Sequence, residues 1–422
     1  MAEFTFSELT PSAFLDRSAY VFRDRLAVID GDRRFTYAEF GERSHRLAGA
    51  LAGAGISPGD RVAAICANSH VMLELHNGVP LAGGVLVPLN IRLSRDELIY
   101  GVEHSGAKLI VATPEFAEVA ELVAKETGVR LVVGGTGDDD EYEQLVAAAE
   151  PATVACEDER GLLAISYTSG TTGQPKGVIY HHRGAYLQAL AVALHSHLDS
   201  DSVYLWTLPM FHCDGWCYPW GVTAVGGTHL CLRQIDPARI WQLCREEGVT
   251  HYSAAPTVLN MIANAKEAEE GVDLERRIRV DTGGAPPSPT LISRMAELQM
   301  DVNHLYGLTE TYGPACVNDW HPEWSELDAD ERARLGARQG VGNVVAERMR
   351  ILDDDGNDVP PDAETMGEIV VRGNNVMLGY YNDDEATAEV TVDGHFRTGD
   401  LGVIHPDGYV EIKDRSKDII IS

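Results

Sequence analysis

From about Phe35 to Thr113, apolar and polar positions alternate in helix-like and strand-like blocks. Residues 37–53 read as a helix, Pro58-Gly59-Asp60 as a turn, 61–66 as a short buried strand and 70–81 as a second helix. Val85-Leu86-Val87-Pro88-Leu89 is a further strand, followed by a capped helix over 94–103 and a strand over 108–112. This β-α-β rhythm predicts a mostly parallel sheet covered on both faces.

The acidic run 134–143 predicts a surface loop ahead of Leu145. A second α/β unit begins at Leu162, with helices expected over 185–198 and 237–247 and strands over 228–232, 251–255 and 279–282. The last strand ends in Gly283-Gly284. Beyond about Gly340 the pattern changes to short alternating strands, 348–352, 368–372, 402–405 and 409–413. Turns at Asp355-Gly356 and Pro406-Asp407-Gly408 divide them. The expected fold class is α/β. Two parallel-sheet α/β subdomains, 1–160 and 161–335, pack together, and a small β-rich, barrel-like subdomain covers 336–415.

Composition narrows the function. With 44% hydrophobic residues in 422, the chain is globular and long enough for two or three real cores. Its net charge of −31 repels nucleic acid and anionic membranes, so neither is an expected partner. It repels polyphosphates too, so a nucleotide site must be a local island of donors. Seven scattered cysteines show no zinc spacing and read as packed, reduced thiols of a cytosolic protein. The N-terminus shows no signal-peptide pattern, and no apolar run reaches the ~20 residues of a membrane span. The expected location is cytoplasmic.

The most informative segment is Tyr167-Thr168-Ser169-Gly170-Thr171-Thr172-Gly173-Gln174-Pro175-Lys176-Gly177-Val178. It follows the apolar run Leu162-Leu163-Ala164-Ile165, as a loop leaves a buried strand at a sheet edge. Glycines let backbone N–H groups turn inward; four hydroxyls and an ammonium add donors. Such a loop can wrap a polyphosphate. It lacks the Gly-Lys-Ser/Thr tripeptide of the Walker pattern.

At this loop the chain resembles the adenylate-forming superfamily of acyl-CoA synthetases, aryl-CoA ligases, luciferases and peptide-synthetase adenylation domains. Tyr306-Gly307-Leu308-Thr309-Glu310-Thr311, Phe396-Arg397-Thr398-Gly399-Asp400 and Asp414-Arg415-Ser416-Lys417-Asp418 match three further family segments, in order. Pro209-Met210-Phe211-His212-Cys213-Asp214-Gly215-Trp216 is most similar to aliphatic acyl-CoA synthetases.

The resemblance implies attack of a carboxylate on the α-phosphorus of ATP, then transfer of the acyl group to CoA. Two anions must meet, so catalysis is mostly positioning plus preorganised positive charge. By resemblance, Thr168, Ser169, Thr171, Thr172 and Lys176, with Gly170 and Gly173 shaping the loop, hold the β- and γ-phosphates. Thr309 contacts the α-phosphate and Glu310 holds Mg2+. Adenine is expected between Tyr306 and the backbone of Gly283-Gly284-Ala285, with Gly307 beside it and the acid. Asp400 and Arg415 are expected at the ribose. His212 would lie beside the substrate carboxylate, with Trp216 gating the acyl tunnel, although an aromatic core with Trp206, Tyr218 and Trp220 would also explain Trp216. Asp214 stands where close relatives often carry asparagine, and would repel a fatty acid head group or pair with a polar substituent.

Lys417 is the expected hinge pivot, in a hinge stub over 416–422. The chain stops at Ser422 within an apolar strand-like run. The resemblance therefore implies that the family's C-terminal domain, with a second lysine and much of the CoA channel, is absent, and that this fragment has little activity. Expected partners are a carboxylic acid, ATP and CoA; a homodimer is compatible with the sequence. Loading of a carrier protein, or non-catalytic binding of an adenylate, remain alternatives at this level.

Overall fold

The computed structural model describes residues 5–168, 174–269, 274 and 276–413, together with the backbone of 414 and 415. Among the described residues two large sheets and one small one organise the chain. The first runs Arg130–Val133, Leu109–Ala112, Arg61–Ile65, Val85–Pro88, Leu162–Tyr167, Gly177–His181, parallel except for its last pair. The second has a parallel centre of Thr228–Leu230, Val203–Leu205, His251–Ser253, Ile278–Thr282 and Met300–Leu308. Leu26–Asp30 extends the parallel order beyond Thr228–Leu230, and Arg33–Thr36 closes that edge antiparallel to it; Gly313–Val317 and Val341–Gly342 add antiparallel strands at the other. The third is antiparallel throughout: Arg350–Leu352, Gly367–Val371, His395–Ile404, Thr391–Val392 and Val410–Arg415. This is the α/β class with a small β subdomain that the pattern predicts.

Local sequence explains the elements. Thr36 and Ser94 cap the helices Tyr37–Gly53 and Arg95–Ser105 through full capping boxes with Glu39 and Glu97. All twelve residues of the helix His70–Leu81 are buried, as expected of a helix apolar on most sides and placed between layers. The largest core joins both lobes, from Val62 and Leu73 through Val28 to Trp206, Trp216 and Trp220. Tyr306 belongs to a separate core under the third sheet, with Ile351, Ile369 and Val410.

The sheets are not divided as sequence order suggests. Leu162–Tyr167 pairs with Val85–Pro88 and completes the first sheet rather than opening the second. Leu26–Asp30 joins Thr228–Leu230 in the second. Burial on both faces leaves no alternation to tell a strand which sheet it enters. The acidic run is also more ordered than a surface loop. Asp140 accepts from Gly135, Thr136 and Gly137 N–H and caps the helix Glu141–Ala148. Glu143 is buried and pairs with Arg43.

Candidate active site

A cleft of about 1930 Å³ lies where the two large lobes meet the small sheet. Thr168, Lys176, His212, Trp216, Gly283, Gly284, Tyr306, Gly307, Thr309, Glu310 and Asp400 all line it. Residues from segments more than two hundred positions apart thus share one cavity.

At the end lined by Lys176, Thr168 and Lys176 close the loop between their strands: Lys176 N–H donates to Thr168 Oγ1 at 3.2 Å and Thr168 N–H to the Lys176 carbonyl at 3.0 Å. Ser169, Gly170, Thr171, Thr172 and Gly173 lie outside the described residues. The Lys176 ammonium sits 4.7 Å from the centre of the Tyr380 ring. The Tyr380 hydroxyl donates to Glu310 Oε1 at 2.7 Å. Burial pushes the Glu310 carboxyl above its ordinary range, against the opposing pulls of Tyr380 and Lys176. Tyr380 was not foreseen from sequence. It arrives because residues 378–381 run beside the strand Gly177–His181, with Tyr381 N–H donating to Gly177 O at 2.7 Å.

Thr309 opens a short 3-10 turn, Thr309–Thr311. The Tyr180 hydroxyl donates to the Thr309 carbonyl at 2.6 Å, and Tyr180 stacks on Tyr312 with centroids 3.9 Å apart. Gly307 is required by space, since a Cβ there would lie 1.8 Å from the Gly313 carbonyl oxygen.

Where the small sheet joins the cleft, the Tyr306 hydroxyl donates to Asp400 Oδ2 at 2.7 Å. Arg415 is the register partner of Asp400 across the hairpin, which sets its backbone beside that carboxylate; its side chain lies outside the described residues. Gly284 has a φ of +82° at the strand exit. Ala285 is exposed and is not part of the cleft wall. Lys417 lies outside the described residues.

The wall around His212 and Trp216 is built by an unusual turn. Cys213, Asp214, Gly215, Trp216 and Cys217 all have positive φ, at 48°, 44°, 56°, 55° and 64°. Each non-glycine residue in this left-handed form costs roughly 1–2 kcal/mol, so the surroundings must hold it. Gly215 N–H donates to His212 O and Cys217 N–H to Asp214 O. The Cys213 thiol donates to Thr309 Oγ1 at 3.6 Å. The turn presents the His212 ring to the cleft with its surface still open to solvent; the desolvating cleft walls, and secondarily Arg92, push its pKa down. It lays Trp216 between two glycines: a Cβ on Gly283 would meet the indole at 3.0 Å and one on Gly313 at 2.8 Å.

Asp214 departs from expectation. It is 0% exposed and does not line the cleft; Ser166 Oγ donates to its Oδ1 at 2.8 Å. Buried behind residues that do line the cleft, Cys213 and Trp216, it has no exposed face there. Two further residues escaped the sequence reading. Asn68 donates to the carbonyls of Trp206 and Leu208 and accepts from Met210 N–H, tying the first lobe to the segment that leads into His212. Arg92 lines the cleft and has no ion-pair partner among the described residues. Neither carries a motif; both are read only from where the chain folds back.

Comparison with known proteins bears on the family of the chain. Residues 15–381 match the model of the family described as AMP-binding enzyme. The chain is 42% identical to a peroxisomal acetate/butyrate–CoA ligase of Arabidopsis thaliana, over 99% of this chain and 78% of that protein. It is 41% identical to a 4-hydroxybutyrate–CoA ligase of Metallosphaera sedula, over 98% and 78%. Among solved structures, the N-terminal domain of FACL13 from Mycobacterium tuberculosis superposes with a TM-score of 0.85 at 28% identity, covering 96% of this chain and all of that one. O-succinylbenzoate CoA synthetase of Bacillus subtilis, in complex with AMP, gives 0.83 at 27% identity, over 97% and 79%. With a family model matched over residues 15–381 and relatives 41–42% identical over nearly its whole length, this chain is a member of the AMP-binding, adenylate-forming enzyme family.

Proposed function

We propose that the chain is the adenylating part of an acyl-CoA ligase acting on a short-chain aliphatic acid. One observation carries the reading: the donors for a triphosphate, the nucleoside pair Tyr306–Asp400 and the acyl turn at His212 open onto the same cleft. The relatives named for acetate, butyrate and 4-hydroxybutyrate support a small acid. So does Trp216, wedged against Gly283 and Gly313 where a longer chain would extend.

A substrate carboxylate beside His212 attacks the α-phosphorus of ATP. The new bond joins carboxylate oxygen to phosphorus, and the bond to pyrophosphate breaks. His212 is held neutral, so it can donate one N–H without being a competing anion sink. Lys176 faces the leaving pyrophosphate, and Thr309 offers a hydroxyl at the reacting phosphate. Glu310 suits Mg2+, a hard cation usually bound by one or two carboxylates plus substrate phosphates. Its raised pKa, with Lys176 as the one ammonium pulling it down among the described residues, fits a site that gains a cation with the nucleotide. The metal supplies charge neutralisation on the phosphate oxygens. In the second half, a thiol sulfur attacks the acyl carbon, loses its proton to solvent, and AMP leaves. Arg92 at the acyl end gives an anionic thiol such as CoA a local cation in an otherwise acidic molecule.

The test is pyrophosphate release from ATP with a panel of acids from acetate to long-chain fatty acids, with CoA present or omitted. Release with the short acids supports the reading. Release with long-chain acids alone counts against it, and so does failure of the chain to bind a short-chain acyl ester of AMP more tightly than AMP.

A further inference from the structure

The left-handed turn carries a carboxyl group with no cation beside it among the described residues. Asp214 sits at its centre, fully buried. Oδ1 accepts the Ser166 hydroxyl, and Oδ2 has no hydrogen-bond partner among the described residues. The titratable groups that face it are Tyr180 from the strand Gly177–His181, Tyr312 after the turn Thr309–Thr311, and Cys213 and Cys217 of its own segment. Burial pushes all four well above their ordinary ranges, so they are neutral at physiological pH. An ionised Asp214 would be a buried charge with one hydrogen bond and no counter-charge, which folded proteins avoid by taking up a proton.

We infer that Asp214 is a positioning residue that works as a neutral acid: while protonated it pins the turn that presents His212 and Trp216 to the acyl group, and loss of the proton to water releases that turn. The inference rests on the acyl site described above. It explains why a carboxyl can stand in a site for anionic substrates: in its neutral form it adds no repulsion. Burial pushes its pKa up to about 7, with Ser166 pulling the other way. The transition therefore falls within the physiological range. Coupling to the ligand is geometric. The Asp214 carbonyl accepts from Cys217 N–H, and its neighbours Cys213 and Trp216 both line the cleft. A turn of strained residues has little reserve against a charge seeking solvent.

The experiment compares a butyl ester of AMP with AMP itself by calorimetric titration of the 422-residue chain. Wild type, Asp214→Asn and Ser166→Ala are measured between about pH 6 and about pH 8.5, the range around the midpoint. The quantity read is the gain in affinity of the ester over AMP. Because AMP's own phosphate titrates in this range, the decisive comparison is between variants at each pH. In wild type the gain falls about tenfold one pH unit above the midpoint, as the competent fraction drops to about a tenth. Asp214→Asn, a neutral isostere, keeps the gain at every pH. Ser166→Ala moves the transition to higher pH, because it removes a donor that favours the charged form. The inference is overturned if Asp214→Asn tracks wild type across the pH range. Should that variant fail to fold, an unmoved transition in Ser166→Ala overturns it equally. If the ester gains nothing over AMP at any pH in wild type, the acyl-site assignment itself is wrong and takes this inference with it.

Discussion

Tyr306 and Asp400 are joined by a hydrogen bond of 2.7 Å between residues from different sheets. Tyr306 ends the long strand Met300–Leu308 of the second lobe, and Asp400 lies in the strand His395–Ile404 of the small sheet. The bond fixes the small sheet against the lobe and aims one carboxylate at the cleft.

Removing that hydroxyl with Tyr306→Phe leaves a buried carboxylate short of one donor. A hydrogen bond to a charged group is worth about 1.5–3 kcal/mol, so AMP affinity is expected to fall about tenfold or more. Calorimetric titration with AMP measures it. An unchanged affinity would show that the pair is structural and that the nucleoside binds elsewhere.

Lys176 is expected to act on the outer phosphates. Its ammonium lies over Tyr380, whose hydroxyl contacts Glu310. Lys176→Ala should weaken ATP binding about tenfold or more and leave AMP nearly untouched, since AMP lacks the groups it faces. Comparing the two dissociation constants decides it; equal losses would make Lys176 a loop-shaping residue. In the same terms, Glu310→Gln should raise the Mg2+ concentration needed for half-maximal pyrophosphate release while sparing AMP binding alone.

Much of this was legible in the sequence, and the remainder has a physical reason for being hidden. Helices 37–53 and 70–81 match their expected bounds because capping residues and turns mark both ends. Sheet membership of Leu26–Asp30 and Leu162–Tyr167 was not legible, because strands buried on both faces look alike whichever sheet they join. Site residues inside motifs, such as Lys176, Tyr306, Thr309, Glu310 and Asp400, do line the cleft. Those that support them from elsewhere, Asn68, Tyr380 and Ser166, had no local signal, since their roles arise only from long-range contacts. Asp214 was misread as facing substrate because a sequence does not show five successive residues adopting left-handed backbone.

Trp216 yields a prediction about acid length. Its indole occupies the space left by two missing side chains, at Gly283 and Gly313. Trp216→Ala should move the preferred acid toward longer chains. Gly283→Ala should instead disturb the indole, since its Cβ would approach ring atoms at 3.0 Å and the Leu305 carbonyl oxygen at the same distance. The measurement is kcat/KM across an acid series; an unchanged profile for Trp216→Ala assigns the ring to core packing.

The buried imidazole of His70 sets a different pH response, in stability. His70 Nδ1 lies 2.7 Å from Asp30 Oδ2 and Nε2 lies 2.9 Å from Glu143 Oε1. Asp30 also takes two hydrogen bonds from Arg233, so the cluster ties the first lobe's helix to the second lobe's edge strand. Burial alone would lower the imidazole's pKa, but the two carboxylates reverse it and push it up to about 9. The folded state therefore holds this proton more tightly than the unfolded chain, whose histidine titrates near about 6.5. The stabilisation is fully present below that value and is lost as pH rises through about 9. It amounts to about 3 kcal/mol. Thermal melting of wild type and His70→Gln should show a gap that narrows between these two pH values. A constant gap would mean that His70 is neutral in the fold and that the two carboxylates are balanced by Arg43 and Arg233 alone.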